Sequence, residues 1–376
     1  MPASHSDFSD FALLPSLQNT LKEKKYTQPT EVQLKALPLL LEGRSVVGVA
    51  ETGSGKTLSY ALPILHLLKE QESSGNRVTE HGTPRALILV PTRELGEQVS
   101  KVFKIFTHDT RLRVRTVLGG TKIEVAKENV RGAFEILVAT PGRLVQMIGR
   151  RQVKLEDVRI LVFDEADQML DQGFIADALK IADACPGDRQ MALFSATVSP
   201  AVQKLMNELF AKATVIRTAG ANRVVAKLKT ENREIKDGKR MPVLEELLAK
   251  KTKGGTVIFA NTREQCDKLY AELKKKGFVC ALYRGEMEKV ERRLNLKAFR
   301  DGKIDFLIST DLASRGLDVE HVGRVINYHM PKHLENYLHR VGRTARAGRA
   351  GLVINFITER DAEIVKKLAG VRAQHS

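Results

Sequence analysis

Tryptophan is absent from this sequence, cysteine occurs three times, and aromatics make up 5% of the 376 residues. The cysteines, at 185, 266 and 280, are spaced neither for a zinc site nor for a disulfide framework, so a reduced compartment, the cytoplasm, is expected. No stretch approaches the roughly 20 apolar residues that cross a bilayer. The first residues, Met1 to Phe11, carry Asp7 and Asp10 and no apolar run suited to export, so no membrane or secretory role is expected. Acidic residues also fall short: the formal net charge is +16, and from residue 218 on 33 Lys and Arg face 20 Asp and Glu, against 28 and 25 before it. That basic half suits a polyanionic partner, while excess lysine can also serve solubility alone.

The length exceeds what one hydrophobic core usually organises, and 43% hydrophobic with 28% charged residues let the whole chain fold. Short β-type runs at 46–49, 86–90, 114–117, 136–139, 160–163 and 191–194 alternate with segments of helical period, the α/β pattern of a parallel sheet. The alternation restarts after 217–223, a stretch of small residues around Gly220. Strands are then expected at 256–260, 279–282, 306–309, 325–328 and 352–356, and helices at 263–276 and 289–300. Two domains follow, 1–217 and 224–376, with 218–223 as a linker. The polar residues 71–84 have no periodicity and read as a mobile surface loop. In open parallel sheets, ligands sit beyond the carboxyl ends of the strands, so chemistry is sought there.

The first such end is Ala50-Glu51-Thr52-Gly53-Ser54-Gly55-Lys56-Thr57, between the run 45–49 and a helix expected over 58–69. A strand that ends in a glycine-rich turn and opens a helix aims backbone N–H groups at phosphate. Gly53 and Gly55, flanking Ser54, permit positive φ and close approach. Lys56 offers a point charge to the β- and γ-phosphates, and the Thr57 hydroxyl suits Mg2+. Ala50 stands where the strict pattern has glycine, so the pattern is met in all but one residue. The run 160–163 ends in Asp164-Glu165-Ala166-Asp167, which places Asp164 to hold Mg2+ through water and Glu165 to orient an attacking water. For the tetrad alone, an acidic helix cap is the alternative.

Together these segments resemble the DEAD-box family of ATP-dependent RNA helicases, and the likeness runs from Phe8 to Gly351 with the motifs in the family's order. The resemblance implies two RecA-like domains, each a parallel sheet flanked by helices, joined by a flexible linker. It implies ATP and Mg2+ as cofactors, held by the loop from Thr52 to Thr57 with Asp164 and Glu165, and RNA as partner. Tyr26-Thr27-Gln28-Pro29-Thr30-Glu31-Val32-Gln33 resembles the Q motif, with Phe8 as its isolated upstream aromatic. Gln33 can accept from N6 and donate to N7 of adenine, while an aromatic such as Tyr26 covers the base.

Pro91-Thr92-Arg93, Gly119-Gly120 and Thr140-Pro141-Gly142-Arg143 follow strands and resemble motifs Ia, GG and Ib, which implies a grip on RNA backbone. Ser195-Ala196-Thr197 resembles motif III, which couples ATP state to domain closure. In the second half, 257–263 resembles motif IV and 309–318 motif V. By this likeness Arg263, Gly285 and Thr310 lie against RNA, and Asp318 faces the ribose of ATP. His339-Arg340-Val341-Gly342-Arg343-Thr344-Ala345-Arg346 resembles motif VI, with Arg343 and Arg346 offsetting transition-state charge on the phosphates.

The implied activity is hydrolysis of ATP to ADP and phosphate, coupled to RNA binding and local unwinding of short duplexes by a monomer, with little sequence specificity. An RNA clamp or ribonucleoprotein remodeller that seldom separates strands would carry the same motifs. A small-molecule P-loop kinase would share the loop but need neither the motif VI arginines nor the basic half. The sequence departs from the family around Gly285, where Arg284 and Lys289 replace the usual His and Gln and add two cations beside a glycine implied to touch phosphate. After the last motif the chain reaches Ser376 without an Arg/Gly-rich tail, so target choice is expected to rest with partner proteins or to be broad.

Overall fold

Runs that are apolar at every position fit strands covered on both faces, and the runs of the first half form such strands except 114–117, Val-Arg-Thr-Val, which is buried only at its two ends. The computed structural model describes residues 7–51, 53–218, 228–250, 252, 254–311, 322–344 and 351–373. The chain divides into two units, Met1–Asn222 and Arg223–Ser376. Among the described residues the first holds β1 (Val46–Val49), β2 (Ala86–Leu89), β3 (Val114–Val117), β4 (Ile136–Ala139), β5 (Ile160–Asp164), β6 (Gln190–Ser195) and β7 (Thr214–Arg217). All pairings are parallel, in the order β3-β4-β2-β5-β6-β1-β7.

Strand periodicity sends alternate side chains to opposite faces. Val46, Ile88, Val162 and Phe194 join one core, under helices Pro15–Glu23, Glu31–Leu41, Lys56–Ser73 and Arg93–Thr110. Val47, Leu87, Leu161 and Leu193 join the other, under helices Ile123–Asn129, Pro141–Gly149, Ala166–Asp171, Ile175–Asp183 and Pro200–Leu209. Each fully buried Leu or Phe contributes about 1.5–3 kcal/mol. Because β5, β6 and β1 are neighbours, the phosphate loop, Asp164-Glu165 and Ser195-Ala196-Thr197 leave adjacent strand ends.

The second unit repeats the scheme with β8 (Leu228–Glu234), β9 (Gly255–Phe259), β10 (Cys280–Tyr283), β11 (Phe306–Ser309), β12 (Val322–Asn327) and β13 (Gly351–Ile357). These are parallel in the order β10-β11-β9-β12-β13-β8. Val257, Leu307 and Val325 pack with helices Leu334–Val341 and Ala362–Ala373. Ile258, Ile308 and Ile326 pack with helices Arg240–Ala249 and Arg263–Lys275.

Two findings differ from the sequence expectation. β7 and β8 were not foreseen: both are edge strands, and β8, with the sequence Leu-Lys-Thr-Glu-Asn-Arg-Glu, has no fully buried position to mark it. Residues 71–84 are anchored rather than a free surface loop. The preceding helix runs to Ser73, Val78 and Thr83 are buried, and the Arg85 guanidinium donates to the carbonyl and side-chain oxygens of Asn76 at 2.5 and 2.7 Å. Residues 219–223 of the expected linker lie outside the described residues.

Gly48 of β1 is the register partner of Phe194 on β6, and a Cβ there would lie 2.6 Å from two ring carbons. Gly48→Ala should therefore cost about 1–3 kcal/mol of stability, seen as a lower urea midpoint at unchanged slope. An unchanged midpoint would mean that the Phe194 ring has room to move.

Candidate active site

Gly55 takes φ +92° and opens the helix Lys56–Ser73, a conformation that a side chain would strain. The preceding turn is closed by Ser54, whose N–H and hydroxyl donate to the Glu51 carbonyl at 3.3 and 2.7 Å. Lys56 is buried; its Nζ donates to the carbonyls of Ala50 and Glu51 at 2.8 and 3.2 Å. An ammonium has three protons, so one remains for a ligand.

Gln33 joins this loop to the Q-motif segment. Its Oε1 accepts from the Thr30 N–H at 2.8 Å, capping the helix Glu31–Leu41, and its Nε2 donates to the Gly55 carbonyl at 3.0 Å. A Cβ on Gly55 would come within 2.5 Å of that amide nitrogen. Tyr26 is 39% exposed and stacks on Phe106, whereas Phe8 is buried in the core beside Phe11. Of the two aromatics it is Tyr26 that offers a surface to a base. Thr52 lies outside the described residues.

At the end of β5, Asp164 is 2% exposed; its Oδ1 accepts from the Glu165 N–H at 3.0 Å and its Oδ2 from the Tyr60 hydroxyl at 2.7 Å. Burial, then the neighbouring Glu165 charge, pushes its carboxyl up to about 6, against the pull of Lys56 and the Tyr60 bond. Glu165 sits at φ +52°, in the left-handed region, and heads the helix Ala166–Asp171; its side chain accepts from the buried Gln168 amide. Strain of this kind persists only where surrounding contacts enforce it.

Asp167 closes the tetrad onto β6. Its Oδ2 accepts from the N–H groups of Ala196 and Thr197 at 3.2 and 3.0 Å and from the Thr197 hydroxyl at 3.0 Å. Its own N–H donates to Ser195 Oγ at 3.2 Å, and that hydroxyl donates to the Thr197 carbonyl at 2.8 Å.

The three segments likened to RNA-gripping motifs leave β2, β3 and β4, which are contiguous in the sheet. Pro91 is buried, and Thr92 caps the helix Arg93–Thr110 through the Leu95 N–H at 3.2 Å. Arg93 donates to Glu97 at 2.8 Å and to the Gly120 carbonyl at 3.5 Å, while the Gly119 N–H donates to Thr140 Oγ1 at 2.8 Å. Gly142 and Arg143 lie in the first turn of the helix Pro141–Gly149, and Arg143 Nη1 meets no acceptor among the described residues. Two hydrogen bonds thus join the three segments into one edge.

In the second unit Thr262 caps the helix Arg263–Lys275, and Arg263 pairs with Glu286. Gly285 is partly buried, and Thr310 is buried. Arg284 donates to Asp267 at 2.7 Å and to the Gly285 carbonyl at 3.0 Å. The Lys289 side chain, Asp318 and Arg346 lie outside the described residues. Arg343 is buried, with Nε donating to the His339 carbonyl at 3.1 Å.

The family model for DEAD/DEAH box helicases matches residues 30–205, and that for the helicase conserved C-terminal domain matches 239–348. The chain is 34% identical over 352 residues to the DEAD-box ATP-dependent RNA helicase RhpA of Helicobacter pylori, covering 93% of this chain and 69% of that one. The chain belongs to the DEAD-box helicase family. The probable ATP-dependent RNA helicase DDX46 of Homo sapiens is 38% identical over 358 residues, which are 93% of this helicase and 34% of its relative. The solved structure of S. cerevisiae Dbp5 bound to RNA and ADP BeF3 matches with a TM-score of 0.85 at 28% identity, over 98% of this chain and 93% of that one. Both parallel sheets are therefore RecA-like.

Three residues of this DEAD-box helicase hold the site in ways that no motif spacing shows. Asp167 was in view as the last residue of the tetrad, yet nothing in its spacing showed that it holds Ser195-Ala196-Thr197. Tyr60 sits in an apolar helix and reads as core. Arg340 lies within the motif VI segment but is fully buried, a hub rather than a ligand contact. It donates to both Asp311 oxygens, to Asn327 at 3.0 Å, to the His329 carbonyl at 2.6 Å and to Asn261 at 2.8 Å.

Arg340→Met keeps the bulk but strands these acceptors, and should cost about 3–5 kcal/mol; a loss under about 1 kcal/mol in urea denaturation would show the hub to be dispensable. Asp167→Ala should cost about 1–3 kcal/mol and raise amide exchange at 196 and 197, the two N–H groups left without their acceptor. Unchanged protection there would contradict the clasp.

Proposed function

We propose that this DEAD-box helicase is an RNA-stimulated ATPase that hydrolyses ATP to ADP and phosphate and uses RNA binding to open short duplexes locally. The observation that carries this reading is the buried Asp164-Glu165 pair, which leaves the sheet two strands from the loop that presents Lys56 and Thr57. RNA and a nucleotide analogue are the ligands named for the Dbp5 structure, which supports the same two ligand classes here.

The donors at this edge are oxygens, the Thr57 hydroxyl and the Asp164 carboxylate, which suits a hard cation such as Mg2+. Burial and the Glu165 charge raise the cost of ionising Asp164, and a cation nearby would offset it. When bound, Mg2+ supplies positive charge to the β- and γ-phosphate oxygens. The chain's own groups do the rest. The free Lys56 proton and the loop N–H groups hold the phosphates; Gln33 and Tyr26 take the adenine. Glu165, held by Gln168, orients a water and accepts its proton. Arg343 and Arg346 meet the charge that develops on the γ-phosphate, and a finger of this kind contributes ~10³–10⁵ in rate.

RNA is held at phosphate and sugar by residues 91–93, 119–120, 140–143 and, in the second unit, by Arg263, Gly285 and Thr310, so sequence specificity is low. ATP and RNA then raise each other's affinity by the same factor. Residues 218–223 serve as the linker. A single copy suffices, and the three buried free thiols suit a reducing compartment such as the cytoplasm.

Glu165→Gln should bind ATP about as tightly as the wild type yet turn it over about 10²–10⁴ times more slowly with RNA present, since the proton acceptor alone is lost. Lys56→Ala should weaken nucleotide binding itself. Wild-type turnover by Glu165→Gln would end this assignment, and an ATPase indifferent to single-stranded RNA would end the helicase reading.

A further inference from the structure

Tyr60 carries a hydroxyl where a ring alone would fill the space. It lies one turn beyond Lys56 and Thr57 on the same helix, is 1% exposed, and packs against Phe103 and Phe194 with ring centroids 6.3 and 5.5 Å away. A buried hydroxyl costs stability unless it is bonded. This one donates to Asp164 Oδ2 at 2.7 Å. The Glu165 N–H donates to the other carboxylate oxygen at 3.0 Å. The Asp164 carboxylate is thus gripped at both oxygens, with a lone pair of each left over. Upstream, the bare Gly48 lets the Phe194 ring lie where it supports Tyr60.

We propose that Tyr60 is a positioning residue for the metal-nucleotide complex: its hydroxyl sets the rotation of the Asp164 carboxylate relative to the Thr57 hydroxyl, and so sets how strongly the site takes Mg2+ with its nucleotide. It touches neither metal nor phosphate. The inference rests on the reading of Asp164 and Thr57 as the metal-binding residues. Partners that orient a metal-binding group from behind typically govern 10–100-fold in metal affinity, and a link made through water belongs at the lower end.

The test uses the full chain and a fluorescent ADP analogue, titrated across a Mg2+ series and in EDTA. Tyr60→Phe should raise the Mg2+ concentration for half-maximal tightening by about tenfold, leave affinity in EDTA unchanged, and show the same shift in the Mg2+ dependence of ATP turnover. In an Asp164→Asn background, Tyr60→Phe should add nothing. Tyr60→Leu, which also loses the ring, should lower the melting temperature while Tyr60→Phe leaves it nearly in place, separating packing from positioning. An unshifted Mg2+ midpoint in Tyr60→Phe, or an equal loss with and without Mg2+, overturns the role of Tyr60 and leaves the metal reading standing. A wild type whose nucleotide affinity ignores Mg2+ overturns the metal reading, and the proposal with it.

Discussion

A charge taken out of water must be met by another group of the protein, and the carboxyl ends of both sheets are built around charges so taken. Lys56, Asp164, Glu165 and Asp167 in the first unit and Arg340 and Arg343 in the second are all buried. Each therefore dictates the backbone around it. Asp167 draws two N–H groups and a hydroxyl from the end of β6 and so fixes that turn to the end of β5. Arg340 draws oxygens from four residues on three separate segments and makes one body of them. Apolar packing builds the two sheets, but the buried charges decide how the loops leave them.

The same constraint explains why the phosphate loop is tied to a segment distant in sequence. Its backbone carbonyls need donors, and Gln33 and Lys56 supply them to Gly55, Ala50 and Glu51. Gln33 spends one bond of each amide atom on this task and keeps capacity for a base edge. A substitution at Gln33 therefore loosens the loop as well as base choice, and the two effects are coupled by construction.

Much of the fold was legible because it is written in apolar runs: β1, β4 and β11 fall where such runs fall, with no shift at either end. β7 and β8 escaped because an edge strand exposed on one side has no need of a continuous run. Residues 71–84 look polar and free, yet Val78 and Thr83 are buried in them, since one apolar side chain is enough to anchor a loop and too little to form a pattern. At the site, residue types with unusual backbone or charge demands stood out. Residues that act by holding another residue did not, because Tyr60 and Arg340 have roles defined by partners far along the chain. Arg284 is a further case: it pairs with Asp267, seventeen positions earlier on another element, a partner its own segment does not announce.

The polar network behind Arg340 extends further than any motif. Asn327 donates to Asn355 at 2.8 Å, and Asn355 donates to Asn232 at 3.0 Å and to the Tyr337 hydroxyl at 3.2 Å. These three asparagines stand level on β12, β13 and β8, and Asn327 in turn accepts from Arg340. An apolar ladder would pack as well in several registers, whereas amides that must pair leave one register satisfied and the others costly. Because the same network holds Tyr337 and Arg340, one turn apart on the helix Leu334–Val341, the orientation of that helix is inherited from strand register. Arg343, on the turn that follows, is placed by the sheet rather than by its own loop.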